Sequence, residues 1–379
     1  MDVFEQSVEM HRRARGKLSV ESVVPLETKE DLSLAYTPGV AEPCRRIAAH
    51  PEEVFDLTMK SHAVAIVTDG TAVLGLGDIG PLAALPVMEG KAVLFKRFAG
   101  LDGFPICLNT KDPDEIVETV IRIAPAFGAI NLEDISAPRC FDIERRLVEA
   151  LDIPVMHDDQ HGTAVVVLAG LINALRVVGK SLSHVRVVIS GAGAGGMGIA
   201  QMLLAGGVSQ MTMLDSRGVI AIGREGMNPV KDALATRINP DGQTGDLRSA
   251  LVGADVLIGV SQPGIVESSM VSSMAKEAII FALSNPVPEV MPDVAYAAGA
   301  AVVATGRSDF SNQVNNALAY PGIFKGAMEA RKKITPQMRV AAAHALAGLI
   351  ASPTAGKIIP SLFDSGVVDA VSAAVSSTD

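Results

Sequence analysis

The chain has 379 residues, 49% of them apolar and 20% charged, with a net charge of −10. That length allows two domains, or three, and a large core, and it excludes global disorder. A general nucleic-acid binder would need a basic footprint, which is absent. Cys44, Cys107 and Cys140 are too few and too far apart for a disulfide framework or a zinc cluster, and they suit a reducing compartment. The N-terminus lacks the basic-then-apolar order of a signal peptide. No run of about 18 apolar residues offers a membrane span. A cytoplasmic protein is expected.

In chain order, Glu5 to Lys17 reads as a charged helix with little to bury alone, suited to a surface or subunit contact. Leu34-Ala35-Tyr36-Thr37-Pro38-Gly39-Val40-Ala41 follows, with Pro38 and Gly39 marking a loop that opens a short helix and holds Tyr36 just before it. Ala63 to Val67 is a buried strand, and Thr68-Asp69-Gly70-Thr71 carries the Asp-Gly signal of a hairpin turn. The glycines of Gly75-Leu76-Gly77-Asp78-Ile79-Gly80 lack the basic residue of a phosphate loop. They mark a backbone that approaches something closely.

Lys91 stands at the mouth of an apolar run. Desolvation there would lower its pKa and make it available as a general base. Asp112-Pro113-Asp114-Glu115 opens a helix through Ile123, and Ile130 to Ile135 reads as a strand ending in Glu133 and Asp134. Adjacent side chains on a strand face opposite ways, so both acids reach one ion only if the chain bends.

His157-Asp158-Asp159-Gln160-His161-Gly162-Thr163-Ala164 runs into an apolar segment to Val178. One acid there is explained by a helix cap. The second is not, and the stretch is expected to be the hinge between domains, with one carboxylate on a metal and its neighbour serving the chemistry.

Val185 to Ser190 is a β-branched run followed by Gly191-Ala192-Gly193-Ala194-Gly195-Gly196 and an Ala/Leu-rich helix. Met211 to Leu214 then ends in Asp215, at the spacing of roughly 20 residues expected for a ribose-binding acid. The glycines permit a tight turn that brings a pyrophosphate to the helix N-terminus. Set between strand and helix with the acid in place, this is a specific dinucleotide signature. Runs near 255–260, 278–283 and 301–304 complete five strands of a parallel sheet. Their ends offer Ser261, Ser284-Asn285-Pro286 and Thr305-Gly306-Arg307, and Asn315-Asn316 opens the last helical region.

Together these residues resemble the malic enzymes in their small bacterial form, from about residue 15 to 360. The resemblance is carried by Tyr36 to Ala41, Thr68-Asp69-Gly70, Gly75 to Asp78, Lys91, Leu132-Glu133-Asp134, His157 to Ala164, Leu283-Ser284-Asn285-Pro286 and Asn315-Asn316. It implies an α/β protein with an N-terminal malate-binding domain, residues 1–155, and a Rossmann-like NAD(P)-binding domain with C-terminal helices, residues 156–379. It implies oxidative decarboxylation of (S)-malate to pyruvate and CO2 with reduction of NAD or NADP, in a homodimer or higher homo-oligomer without nucleic-acid or membrane partners. Glu133, Asp134 and Asp159 would hold Mg2+ or Mn2+. Lys91 would be the general base, Asp158 its adjuster and Tyr36 the proton donor, with Asn285 and Asn315 orienting substrate and nicotinamide.

Larger eukaryotic relatives carry a substrate-gripping arginine where Ala72 stands, leaving that part to Arg307 or to asparagine amides. Asp215 would repel a 2′-phosphate and favour NAD, while Ser216-Arg217 would accept it. The rival readings are a two-domain dehydrogenase without decarboxylation and a non-catalytic dinucleotide sensor.

Overall fold

A computed structural model describes residues 2–379. Its first sheet holds β1 (Ala63–Thr68), β2 (Asp102–Cys107), β3 (Ala129–Leu132) and β4 (Val155–His157), in the order β2-β1-β3-β4 with all pairs parallel. Parallel neighbours need crossovers, and helices Gly80–Leu94, Pro113–Ile123 and Arg139–Ala150 supply them. The central strand β1 is apolar apart from Thr68 and wholly buried, as a strand covered on both faces must be. Asp112 caps the second crossover, accepting from the Asp114 amide at 2.7 Å.

The second sheet contains β5 (Arg186–Ser190), β6 (Gln210–Asp215), β7 (Gly218–Val219), β8 (Val256–Gly259), β9 (Ala278–Ala282) and β10 (Ala300–Thr305). Its order is β10-β9-β8-β5-β6-β7, parallel except for the two-residue β7. The order reverses between β5 and β8, so the crevice for a ligand opens beyond their C-terminal ends.

Helix Asp158–Val178 joins the two units. It is long and apolar enough to cross a membrane, but its apolar side chains are spent in the core, which runs from Val64 and Ile66 through Val165 and Leu168 to Ile189 and Phe281. It ends at Gly179, which takes the left-handed conformation at φ +67°. The stretch expected as a hinge is therefore the buried first turn of a packed helix. The dinucleotide helix Ala194–Ala205 lies against that turn so closely that a Cβ at Gly198 would meet the Gln160 carbonyl at 2.0 Å.

The expected hairpin at 68–71 does not form. β1 is paired in parallel on both sides, so no antiparallel partner is available to it. Instead the chain folds over the sheet end, where the Ile79 amide donates to the Gly70 carbonyl at 3.1 Å. Buried Asp69 accepts from Thr71 Oγ1 at 2.6 Å and lies 2.9 Å from Arg139 Nη2.

The N-terminal helices Val3–Ala14, Lys29–Ala35 and Ala41–Ala49 contain no buried residue. The first begins and ends close to its expected limits.

Candidate active site

β3 delivers Asn131 into the interior and stops at Leu132. The bend that adjacent acids require is present: Asp134 takes φ +54°, the left-handed region that an L-residue occupies at a cost in strain. Glu133, Asp134 and Asp159 each place one carboxylate oxygen within 4.8 Å of the others. Asp159 Oδ2 also accepts the Asp134 amide at 2.8 Å.

Burial drives Glu133 well above the usual carboxylate range, with Asp159, Asp158 and Asp134 adding repulsion against the opposing pull of Lys91. Burial and Asp159 together push Asp134 up to about 8. Asp134 Oδ2 is buried with no hydrogen-bond partner. Crowded, desolvated carboxylates with an orphan oxygen fit a hard divalent cation, which prefers an all-oxygen site.

Lys91, near the end of helix Gly80–Leu94, reaches into this cluster. Its Nζ donates to Asp158, lies 3.1 Å from Glu133 Oε1 and sits over the Tyr320 ring, 4.5 Å from the centroid. Burial alone would strip its proton, but Asp158 and Glu133 outweigh burial and hold Lys91 well above its ordinary value. The expected lowered pKa is thus corrected: with these carboxylates charged, Lys91 is an ammonium. Asp158 receives a second donor, Asn316 Nδ2, at 2.6 Å. The paired acids are not caps, because His157 at the helix start makes no side-chain cap bond and Asp158 faces Lys91.

Asn315 caps its own turn, accepting from the Ala317 amide at 2.9 Å. Asn285 is exposed beyond β9 at the crevice rim. A Cβ at Gly75 would meet the Asn285 carbonyl at 2.7 Å, so this is the close approach that the glycine loop serves. Tyr36 is 67% exposed, unlike the buried Lys91, Glu133, Asp134 and Asp158. Arg307 is engaged by Asp309 at 2.7 Å and by the Pro286 carbonyl at 3.1 Å.

In the second unit Gly191 takes φ +117° against the Val260 carbonyl, while a Cβ at Gly193 would meet nothing, leaving the backbone open toward a ligand. Ala192, Ala194, Gly195 and Gly196 complete the turn into the helix. Asp215 ends β6 but its charge is answered. Arg224 grips both its oxygens at 2.7 and 2.5 Å, and Lys231 lies at 2.7 Å. Despite partial burial, these donors keep Asp215 below its usual pKa.

Several positioning residues gave no sequence signal. Buried Glu289 accepts from the Ser261 and Ser284 amides at 2.9 and 3.0 Å, tying the ends of β8 and β9 beneath Asn285. Glu144 accepts from the His157 amide at 2.7 Å and from Gln160 and His161 at 3.0 Å. Tyr320 is buried with an unpartnered hydroxyl. None of these residues belongs to a local motif.

A parallel-sheet dinucleotide unit beside a lysine–carboxylate cluster defines a metal-assisted, NAD(P)-linked oxidoreductase. Residues 15–148 match the malic enzyme N-terminal domain, and residues 160–377 match the malic enzyme NAD-binding domain. The chain belongs to the malic enzyme family. It is 55% identical to the bifunctional malic/malolactic enzyme of Bacillus subtilis, over 99% of this chain and 92% of that one. To the NAD-dependent malic enzyme of Geobacillus stearothermophilus it is 52% identical, over 99% and 78%. The crystal structure of NAD-dependent malic enzyme from Thermotoga maritima superposes with a TM-score of 0.94 at 46% identity, covering 100% of this chain and 99% of that one. NAD- and NADP-dependent relatives both match, so this is an NAD(P)-dependent enzyme.

Proposed function

We propose that this chain converts (S)-malate to pyruvate and CO2 with reduction of NAD or NADP, and that Lys91, Asp158 and Tyr36 move the protons. The observation that carries the assignment is the contact of Lys91 with both Asp158 and Glu133. The group that takes the hydroxyl proton thereby adjoins the carboxylates that gather the cation.

Glu133, Asp134 and Asp159 would hold Mg2+ or Mn2+, which supplies Lewis-acid stabilisation of negative charge on substrate oxygen. Lys91 must be neutral to act as a base. Charge compensation of Glu133 and Asp159 removes part of what holds its proton, and burial then favours the amine. Asp158, fixed by Asn316, accepts a hydrogen bond from Nζ, keeps it aimed and stabilises the ammonium formed when Lys91 takes the hydroxyl proton. The amides of Asn285 and Asn315 orient the substrate carboxylate and the nicotinamide, and Asp215 takes the adenosine ribose.

Tyr36 returns a proton to C3. Its exposure requires a cover, which a second copy of the chain supplies. No residue of the 3–49 segment is buried, and Val20, Val23 and Leu34 within it are exposed. The active form is accordingly a homodimer or larger, with the division between malate- and cofactor-binding units at β4, near residue 155. The three free cysteines agree with a cytoplasmic setting.

The test is to supply purified protein with malate, Mn2+ and either NAD or NADP and to follow reduced cofactor and pyruvate together. Equal yields are expected. Reduced cofactor without pyruvate would replace this reading with a non-decarboxylating dehydrogenase.

A further inference from the structure

Four helices meet in a cleft that the mechanism does not use: Asp158–Val178, Ala194–Ala205, Pro229–Ile238 and Pro336–Gly348. The cleft holds about 230 Å³ and is lined by His161, Gln201, Arg237 and Arg339, with no acidic side chain on its wall. Arg339 Nε is buried without a partner. Among the described residues the Arg339 guanidinium makes no hydrogen bond or ion pair, and neither do the side chains of Arg237 and Gln201. Glu144 is the one carboxylate whose charge Arg339 feels. It offsets that charge only in part: burial still holds Arg339 below its ordinary value, and the Glu144 oxygens accept from His157, Gln160 and His161 rather than from the guanidinium.

A desolvated arginine whose counter-charge is incomplete is unfavourable for folding. Here it sits in an open cleft beside a second unpaired arginine and the first turn of helix Pro336–Gly348, whose dipole adds positive potential. A guanidinium fork matches the two oxygens of a carboxylate or phosphoryl group. The volume accommodates several groups of water size, about 30 Å³ each in the liquid.

We propose that this cleft binds a small dianion, bearing carboxylate or phosphoryl oxygens, between Arg339 and Arg237, with Gln201 and His161 as further polar contacts. The site is joined to the chemistry by a short relay. His161 donates to Glu144 at 3.0 Å, Glu144 accepts the His157 amide at 2.7 Å, and His157 Nε2 lies 3.3 Å from Asp159 Oδ2. An anion that draws His161 toward the cleft loosens its hold on Glu144 and is felt at Asp159. This coupling rests on the cation-binding role given to Asp159 above, whereas the binding itself does not.

Calorimetry and thermal melting of the full chain against inorganic phosphate and against succinate, at constant ionic strength, test the proposal without any turnover. Saturable binding is expected for the wild type. Arg339→Gln should weaken it by about tenfold or more, the loss of one charge-assisted contact. In anion-free buffer the same variant should melt above the wild type, because a desolvated and incompletely compensated cation has gone. Arg237→Gln, at an exposed position, should weaken binding without that gain. The two probes tell phosphoryl from carboxylate recognition.

The site is overturned if neither probe saturates, if Arg339→Gln binds as the wild type does, or if that variant melts lower in anion-free buffer. In the wild type, bound phosphate should shift the KM for malate, and in Arg339→Gln it should not. An unchanged wild-type KM under saturation overturns the coupling and leaves the site standing.

Discussion

Lys91 Nζ lies 3.1 Å from Glu133 Oε1, so the amine assigned to proton removal and an acid assigned to the cation share one buried contact. Lys91→Met should lower malate-dependent cofactor reduction by roughly 10²- to 10⁴-fold, the usual contribution of a positioned base. Initial rates at saturating malate and Mn2+ measure this. Turnover like that of the wild type would remove Lys91 from the mechanism.

The same crowding sets a pH dependence for the metal-free protein. Asp134 rises on folding from 3.8 to about 8, and Glu133 and Asp158 move in the same direction. Between those two values the folded chain binds more protons than the unfolded one, so this contribution to stability is full at the acidic end and is lost as pH rises. Lys91 is protonated in both states across the window and adds no slope. His161, lowered by burial, opposes this slope below its ordinary value, one group against three acids. Glu144, held down to about 2, acts below the window. In chelator, the melting temperature should therefore fall between about pH 4 and pH 8. Added Mn2+ should restore it, most strongly at the alkaline end, because the ion binds the deprotonated carboxylates. A metal-induced shift of equal size at every pH would contradict the assignment of these acids to the ion.

Asp215 with its two cations makes a different expectation for cofactor choice than its sequence position suggests. Asp215→Asn leaves Arg224 and Lys231 without their carboxylate, free to receive a 2′-phosphate. The ratio of kcat/KM for NADP over NAD should rise by about tenfold or more, the value of one charge-assisted contact. An unchanged ratio would place the ribose elsewhere.

Arg139→Ala should destabilise the first unit by about 3 kcal/mol, because it strips Asp69, fully buried, of its counter-charge. Denaturant unfolding measures the loss. Asp69→Asn combined with Arg139→Ala should recover part of it, since no unpaired charge then remains.

How far the sequence revealed this arrangement depended on the range of each contact. The Gly191–Gly196 turn was legible because strand, turn, helix and acid are neighbours in the chain. Glu133, Asp134 and Asp159 were legible through their resemblance to a family motif, although the bend that unites them depends on a left-handed Asp134 that no local rule requires. The Asp-Gly pair at 69–70 promised a hairpin, and the parallel partners of β1 overruled it. Lys91 was expected to lose affinity for its proton through burial. The acids surrounding it come from residues 133 and 158, and only the fold sums their effect. Glu144, Glu289 and Tyr320 were silent for the same reason, since each works on atoms far away in sequence. The second donor to Asp158, Asn316, was assigned no role from the sequence, while its neighbour Asn315, expected to orient ligands, caps its own turn.

The contact between Gly198 and Gln160 limits what position 198 can hold. With no space for a methyl group between them, the helix that follows the nucleotide turn and the turn that carries Asp158 and Asp159 are in direct backbone contact. A single hydrogen on one α-carbon thus sets the separation of two elements that meet at the crevice, and a larger residue at 198 should push the Gly191 turn away from Asp158 and Asp159.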